Sequence, residues 1–96
     1  MGIDDLLKPY RDQILAISAR HGAKNVRVFG SVVRGEPGPD SDVDFLVDLD
    51  PDRSLLDLGG LLMDLQGLLH RQVDVVTEKG LHWYIKDKVL NEALPL

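Results

Sequence analysis

The chain contains no cysteine, which excludes disulfides and thiolate metal sites. It is also short of positive charge: 11 Lys and Arg stand against 16 Asp and Glu, a formal net charge of −5. Gripping nucleic acid takes a basic surface, so direct nucleic-acid binding is not expected. A nucleotide ligand is still allowed, because a divalent cation can neutralise phosphate locally. No apolar run approaches the ~20 residues of a membrane span. The start, Met1-Gly2-Ile3-Asp4-Asp5, is acidic and unlike a secretory signal. Leu6 stands where a myristoylation signal has Ser or Thr. Internal repeats and low-complexity segments are absent as well. These absences point to a soluble, cytoplasmic chain.

What remains is ordinary globular material. The 96 residues are 44% hydrophobic and 28% charged, enough for one compact domain spanning residues 1–96. A domain this small buries a modest core and is marginally stable.

Hydrophobic periodicity predicts a helix over residues 3 to 21, where Ile3, Leu6, Leu7, Tyr10, Ile14 and Ile17 share one face. Pro9 predicts a kink or break near Lys8, and Gly22 a C-cap. Asn25 to Phe29 reads as a strand, Ser31 to Arg34 as one helical turn, and Gly35 to Ser41 as a Pro/Gly loop. Asp42 to Leu49 reads as a second strand. Ser54 and Asp57 suit a capping box for a leucine-rich helix running to about Leu69. Gly59 and Gly60 inside it suggest close packing on a neighbour. A third strand over Gln72 to Thr77 and a last helix over residues 80 to 93, stopped by Pro95, complete the chain. The order implies an α/β (α+β) fold of two layers, with a small mixed sheet of about three strands packed with helices.

The informative stretch is Gly30-Ser31-Val32-Val33-Arg34-Gly35, followed by Asp40-Ser41-Asp42-Val43-Asp44. A strand ends at Gly30, where a missing side chain lets a ligand approach the backbone. Free amides at the start of a helical turn, beside the Ser31 hydroxyl, suit a phosphate. Arg34, one turn on, either touches phosphate or braces the loop. Asp42 and Asp44 lie two apart on a strand, hence on one face and about 6.6 Å apart. Paired carboxylates beside a phosphate cradle suit a hard cation. Asp74, in Val73-Asp74-Val75-Val76, is an acid among apolar neighbours: in a short central strand it wants a cation or another partner, and alone it could be an edge-strand charge. If its strand pairs with the second, Asp74 completes a three-acid cluster able to hold two Mg²⁺ ions around an in-line phosphoryl transfer. The spacing Asp40, Asp42, Asp44 also imitates a Ca²⁺ loop. That reading fails because Phe45 stands at the glycine position and Pro51 at the twelfth.

Gly30-Ser31, ten residues, then Asp42-x-Asp44, with a later acid in a strand, resembles the signature of the DNA polymerase β-like nucleotidyltransferase superfamily. The phrase Val28-Phe29-Gly30-Ser31-Val32-Val33-Arg34-Gly35-Glu36 looks like its minimal nucleotidyltransferases. The resemblance implies that Gly30 and Ser31 hold the triphosphate of ATP. It implies that Asp42 and Asp44 bind Mg²⁺, and that Asp74 ligates one metal and helps activate the acceptor hydroxyl. It further implies a partner, a HEPN-domain toxin, which the transferase neutralises as antitoxin. In some pairs it does so by moving AMP onto a tyrosine of the toxin.

A protein partner is also expected because the chain has no room for an acceptor-binding domain. The acceptor must come on another protein or on a second copy. The leucines of residues 54 to 69 are either core or docking surface, and so are Trp83 and Tyr84. His21, His70 and His82 lack metal-ligand spacing and read as surface or helix-end residues. Ser41 reads as a loop cap, Glu36 as a loop charge or a partner of Arg34, and Lys86 and Lys88 as solvated. Two other functions stand beside protein AMP transfer. One is an antitoxin that acts by occlusion with a vestigial site. The other is transfer to a small molecule or a nucleic-acid end.

Overall fold

In a computed structural model, residues 6–35 and 42–96 of the chain are described. Pro9 acts as its chemistry demands. A 3₁₀ turn, Lys8–Tyr10, stands where the break was expected, and in it the Tyr10 amide donates to Leu7 O at 2.9 Å; the predicted start of the helix at Ile3 lies outside the described residues. The regular helix α1 then spans Arg11–Arg20. It buries Ile14, and it buries Ser18 because that hydroxyl donates to Ile14 O at 2.8 Å. Gly22, at φ +73°, turns the chain out of α1, and the stem of Arg53 fills the space a side chain there would need.

Strand β1, Ala23–Phe29, begins earlier than Asn25. Its pairing register shifts between Lys24 and Arg27, where Asn25 takes φ +50°. This bulge resets the alternation, so that Ala23, Val26 and Val28 all face the core. The helical turn α2, Ser31–Arg34, follows. Strand β2 covers Val43–Leu49. Helix α3, Leu55–Leu69, opens with the expected capping box. The Leu56 amide donates to Ser54 Oγ at 3.2 Å and the Ser54 amide to Asp57 Oδ2 at 3.0 Å. That backbone bond holds the Asp57 carboxyl below its usual range. Strand β3, Val73–Val76, a 3₁₀ turn at Glu78–Gly80, helix α4, Trp83–Glu92, and strand β4, Leu94–Pro95, complete the order.

The sheet has four strands in the order β3-β2-β1-β4, one more than expected. β1 runs antiparallel to β2 and to β4, and β2 runs parallel to β3. α3 is the crossover that the parallel pair requires. Pro95 ends α4 as expected, yet the segment after α4 becomes an edge strand. Leu94 pairs with Val28 and Pro95 with Arg27, and the Leu96 amide donates to Val26 O at 3.0 Å. A proline is tolerated there because an edge strand can spare a donor.

Period-two alternation divides the sheet's chemistry. Val43, Phe45 and Val47 of β2, with Val73 and Val75 of β3, enter a core closed by Ile14, Leu61 and Leu65. Most of the leucine stripe is therefore core. Leu55 and Leu56, at 81% and 87% exposure, are not. Gly60 lies against His21, whose Cε1 would be 2.9 Å from an added Cβ. His21 is thus packed at its helix end and bonded to Asp64 at 2.7 Å. No helix among the described residues is long and apolar enough to cross a membrane.

Phe45 is fully buried at the centre of β2. Phe45→Ala is expected to cost about 3–5 kcal/mol, a large share of the stability of so small a domain. Urea unfolding followed by circular dichroism will read this directly, and a loss below about 1 kcal/mol would place Phe45 outside the load of the core.

Candidate active site

β2 has two faces, and its polar one carries Asp42 just ahead of the strand, then Asp44, Leu46 and Asp48. The parallel register sets Asp44 opposite Asp74. The antiparallel register on the other side sets Asp44 opposite Phe29, the residue before Gly30. The two tracts singled out in the sequence and the later acid thus meet at one end of the sheet.

Gly30 has φ +81° and ψ −152°, a conformation open to glycine and costly for other residues. A Cβ there would overlap the Asp44 carboxylate. The missing side chain therefore lets an acid of the chain itself approach the backbone. Ser31 begins α2 and is half-buried. Val32 anchors the turn in the core at 1% exposure. The Val33 amide donates to Gly30 O at 3.1 Å, and the Gly35 amide, at φ +73°, to Val32 O at 3.3 Å. The predicted single turn exists and is held at both ends.

Asp44 is half-buried, and its carboxyl is raised from 3.8 to about 6. Burial is the largest cause, followed by the negative charges of Asp74, Asp42 and Glu92; Arg34 acts in the opposite direction. Asp42 and Asp74 are exposed. Of the two readings of Asp74, the costly acid of a central strand is therefore corrected and the edge-strand charge holds. β3 is the sheet's edge, and Asp74 points away from the core that takes Val73 and Val75.

The donor set suits a hard, oxygen-seeking cation, and the charge crowded onto Asp44 is the cost such a cation would relieve. The carboxylates of Asp42, Asp44 and Asp74 share a face without forming a preassembled cage. Among the described residues no three acids or histidines converge closely enough to hold a metal.

Arg34 reaches Glu92 at the end of α4, whose other carboxylate oxygen accepts from the Gly30 amide at 3.2 Å. Of the two roles left open for Arg34, the bracing one is visible here. Glu92 was not legible as a site residue, since 62 positions separate it from Gly30. Its one local signal is an acid in the last turn of a helix, where the helix dipole disfavours it. Glu36, Asp40 and Ser41 lie outside the described residues.

With this geometry in place, comparison with known proteins defines the class. Residues 11–96 match the nucleotidyltransferase domain family, and the chain belongs to it: it is a nucleotidyltransferase. Protein adenylyltransferase MntA of Thermococcus cleftensis is 38% identical over 92 residues, covering 96% of this chain and 90% of the relative. A Methanocaldococcus jannaschii relative, named as a candidate protein adenylyltransferase, is 42% identical over 82 residues, covering 85% and 88%. A solved structure described as a candidate minimal nucleotidyltransferase aligns with a TM-score of 0.87 at 48% identity, over 100% of this chain and 97% of that one. A toxin–antitoxin structure with AMP-PNP shares the fold, with a TM-score of 0.75 at 19% identity over 88% of this chain and 69% of that one.

The raised Asp44 pKa carries a stability consequence with a definite sign. The folded chain binds this proton more tightly than the unfolded chain. Stability is therefore undiminished below about pH 4 and falls as pH rises toward about 6, above which the full penalty applies. About two pK units would be about 3 kcal/mol, and solvent screening of a half-exposed group reduces this to about 1 kcal/mol. Asp44→Asn is expected to raise Tm by about 4–8 °C at pH 7.5 and by much less at pH 4. Thermal melts at both pH values check it; a variant no more stable at pH 7.5 contradicts the repulsion.

Proposed function

We propose that this chain transfers AMP from ATP, with Mg²⁺, onto a hydroxyl of a partner protein, and that it acts in this way as the antitoxin of a HEPN-domain toxin, with a tyrosine as acceptor. The observation that carries this reading is the shared register of Phe29, Asp44 and Asp74. It brings the Gly30-Ser31 turn and three carboxylates to one end of one sheet face. The names of the archaeal relatives support protein adenylylation. The toxin–antitoxin neighbours support a toxin partner only at the level of a shared fold.

Each residue has a role that its position allows. Gly30, which has no side chain, lets the triphosphate approach the backbone, and Ser31 takes it on its amide and hydroxyl. Asp42 and Asp44, with Asp74, would hold Mg²⁺. When bound, the cation polarises the phosphate oxygens and neutralises the charge that develops on pyrophosphate. The acceptor oxygen bonds to the α-phosphorus while the bond from that phosphorus to the bridging oxygen breaks. Pyrophosphate leaves with the electron pair. A tyrosine hydroxyl ionises only near pH ~10 unaided, so a metal or a carboxylate must assist its ionisation, the proton passing to a carboxylate or to solvent. Asp74 fits that role because it lies beside Asp44 yet on the exposed edge, where an acceptor borne by another protein can reach it.

Surface composition supports a protein acceptor. Trp83 is 80% exposed and Tyr84 65% exposed, and Leu55 and Leu56 add further apolar area. Large exposed apolar side chains in groups mark interaction surfaces.

Intact-mass measurement tests the reading. The chain, Mg²⁺, ATP and the protein encoded beside it are incubated together, and both proteins are weighed. The partner should gain one or more AMP masses, and the gain should fall to background with Asp42→Asn, Asp44→Asn or Asp74→Asn. A stable complex with no mass gain, together with full neutralisation by the acid variants, would favour occlusion. Turnover of a free small-molecule acceptor would favour the third function.

A further inference from the structure

We infer that Glu92 is a positioning residue of the nucleotide site, holding the Gly30 backbone and the Arg34 guanidinium in the arrangement that receives a triphosphate. The inference rests on the proposed role of Gly30 and Ser31 in binding that group. Its basis is a side chain with two partners. Glu92 Oε2 accepts from the Gly30 amide at 3.2 Å, and Glu92 Oε1 accepts from Arg34 Nη1. Gly30 is the residue before the turn and Arg34 the residue that closes it. One carboxylate thus grips both ends of the four-residue segment that presents Ser31.

The grip has a firm base. Glu92 ends α4, three residues after Val89, which is 7% exposed. The Ala93 amide donates to Val89 O at 2.9 Å, and Leu94 then pairs with Val28 of β1. The backbone of Glu92 is therefore fixed on both sides, by a buried anchor and by the edge strand. Its side chain is only 17% exposed. A carboxylate at a helix C-terminus opposes the helix dipole and here also adds to the negative charge around Asp44. Local helix energetics would remove such a residue. Its two partners across the fold explain why it is tolerated.

A substitution should therefore act on nucleotide binding more than on stability. ATP affinity with Mg²⁺ and the KM and kcat of transfer are measured for the full chain, for Glu92→Ala and for Glu92→Gln, each with a thermal melt. Glu92→Ala is expected to raise the Kd and KM for ATP about tenfold, the scale of one lost charge-assisted hydrogen bond, with a smaller change in kcat. Glu92→Gln keeps an acceptor for the Gly30 amide and should recover part of that loss. Unchanged or tighter ATP binding by Glu92→Ala overturns the inference, tighter binding meaning that the carboxylate competes with phosphate. Should Glu92→Ala not fold, Glu92→Gln carries the test: weaker ATP binding with a displaced Gly30 amide proton resonance is expected, and equal binding overturns. A wild-type chain that binds no ATP sinks the functional reading and this inference together. Wild-type binding that Glu92→Ala leaves intact sinks this inference alone.

Discussion

Two aspartates stand side by side across parallel strands, and much of the molecule is arranged around that like-charge pair. Cross-strand neighbours of the same sign destabilise a sheet. Asp44 is moreover half-buried and has Asp42 two residues before it, so its proton is held to about pH 6. A sheet selected only for stability would place a neutral side chain there. The penalty is kept where a cation and a phosphate together would remove it. On the proposed function, that is the stability–function conflict expected at a binding site.

The strand itself reconciles these demands. Residues of one parity, Val43, Phe45 and Val47, enter the core, while Asp42, Asp44 and Asp48 occupy the opposite face. The same backbone that concentrates charge therefore gathers the apolar packing that offsets it. α3 is needed twice over. As the crossover it makes β2 and β3 parallel, which brings Asp74 to Asp44. Through Leu61 and Leu65 it also seals the face opposite the acids. At the far end of the sheet a different solution holds. Arg27, 12% exposed on its side chain, bridges Asp48 and Glu78, so acids there are neutralised internally. Charge is left crowded at the Gly30 end.

How much of this was legible in the sequence follows from the range of each interaction. The turn at Gly30-Ser31 and the shared face of Asp42 and Asp44 were readable because a turn and a two-residue strand spacing are local facts. The capping box at Ser54 and Asp57 and the break at Pro9 were readable for the same reason. Asp74 was readable only conditionally, since strand pairing is not encoded nearby. Of its two readings, the costly acid of a central strand fails and the edge-strand charge holds, because β3 is an edge strand. β4 escaped because Pro95 marks the end of a helix, and the same residue is compatible with an edge strand. Glu92 escaped because nothing within a few residues of it foretells a bond to Gly30.

The charge pattern also bears on which ligand the site can accept. Asp42, Asp44, Asp74 and Glu92 all place negative charge around the Gly30-Ser31 turn, and Arg34, the cation beside them, is already bonded to Glu92. A bare triphosphate would meet repulsion from every one of these carboxylates, and a few backbone amides cannot outweigh several full charges at short range. On the proposed function, the nucleotide would arrive with its charge cancelled by a divalent cation, a ligand whose preference for oxygen these carboxylates would satisfy. The turn alone would be a weak anion site, and the acids alone a repulsive patch. Only a phosphate and a cation together convert both into attraction.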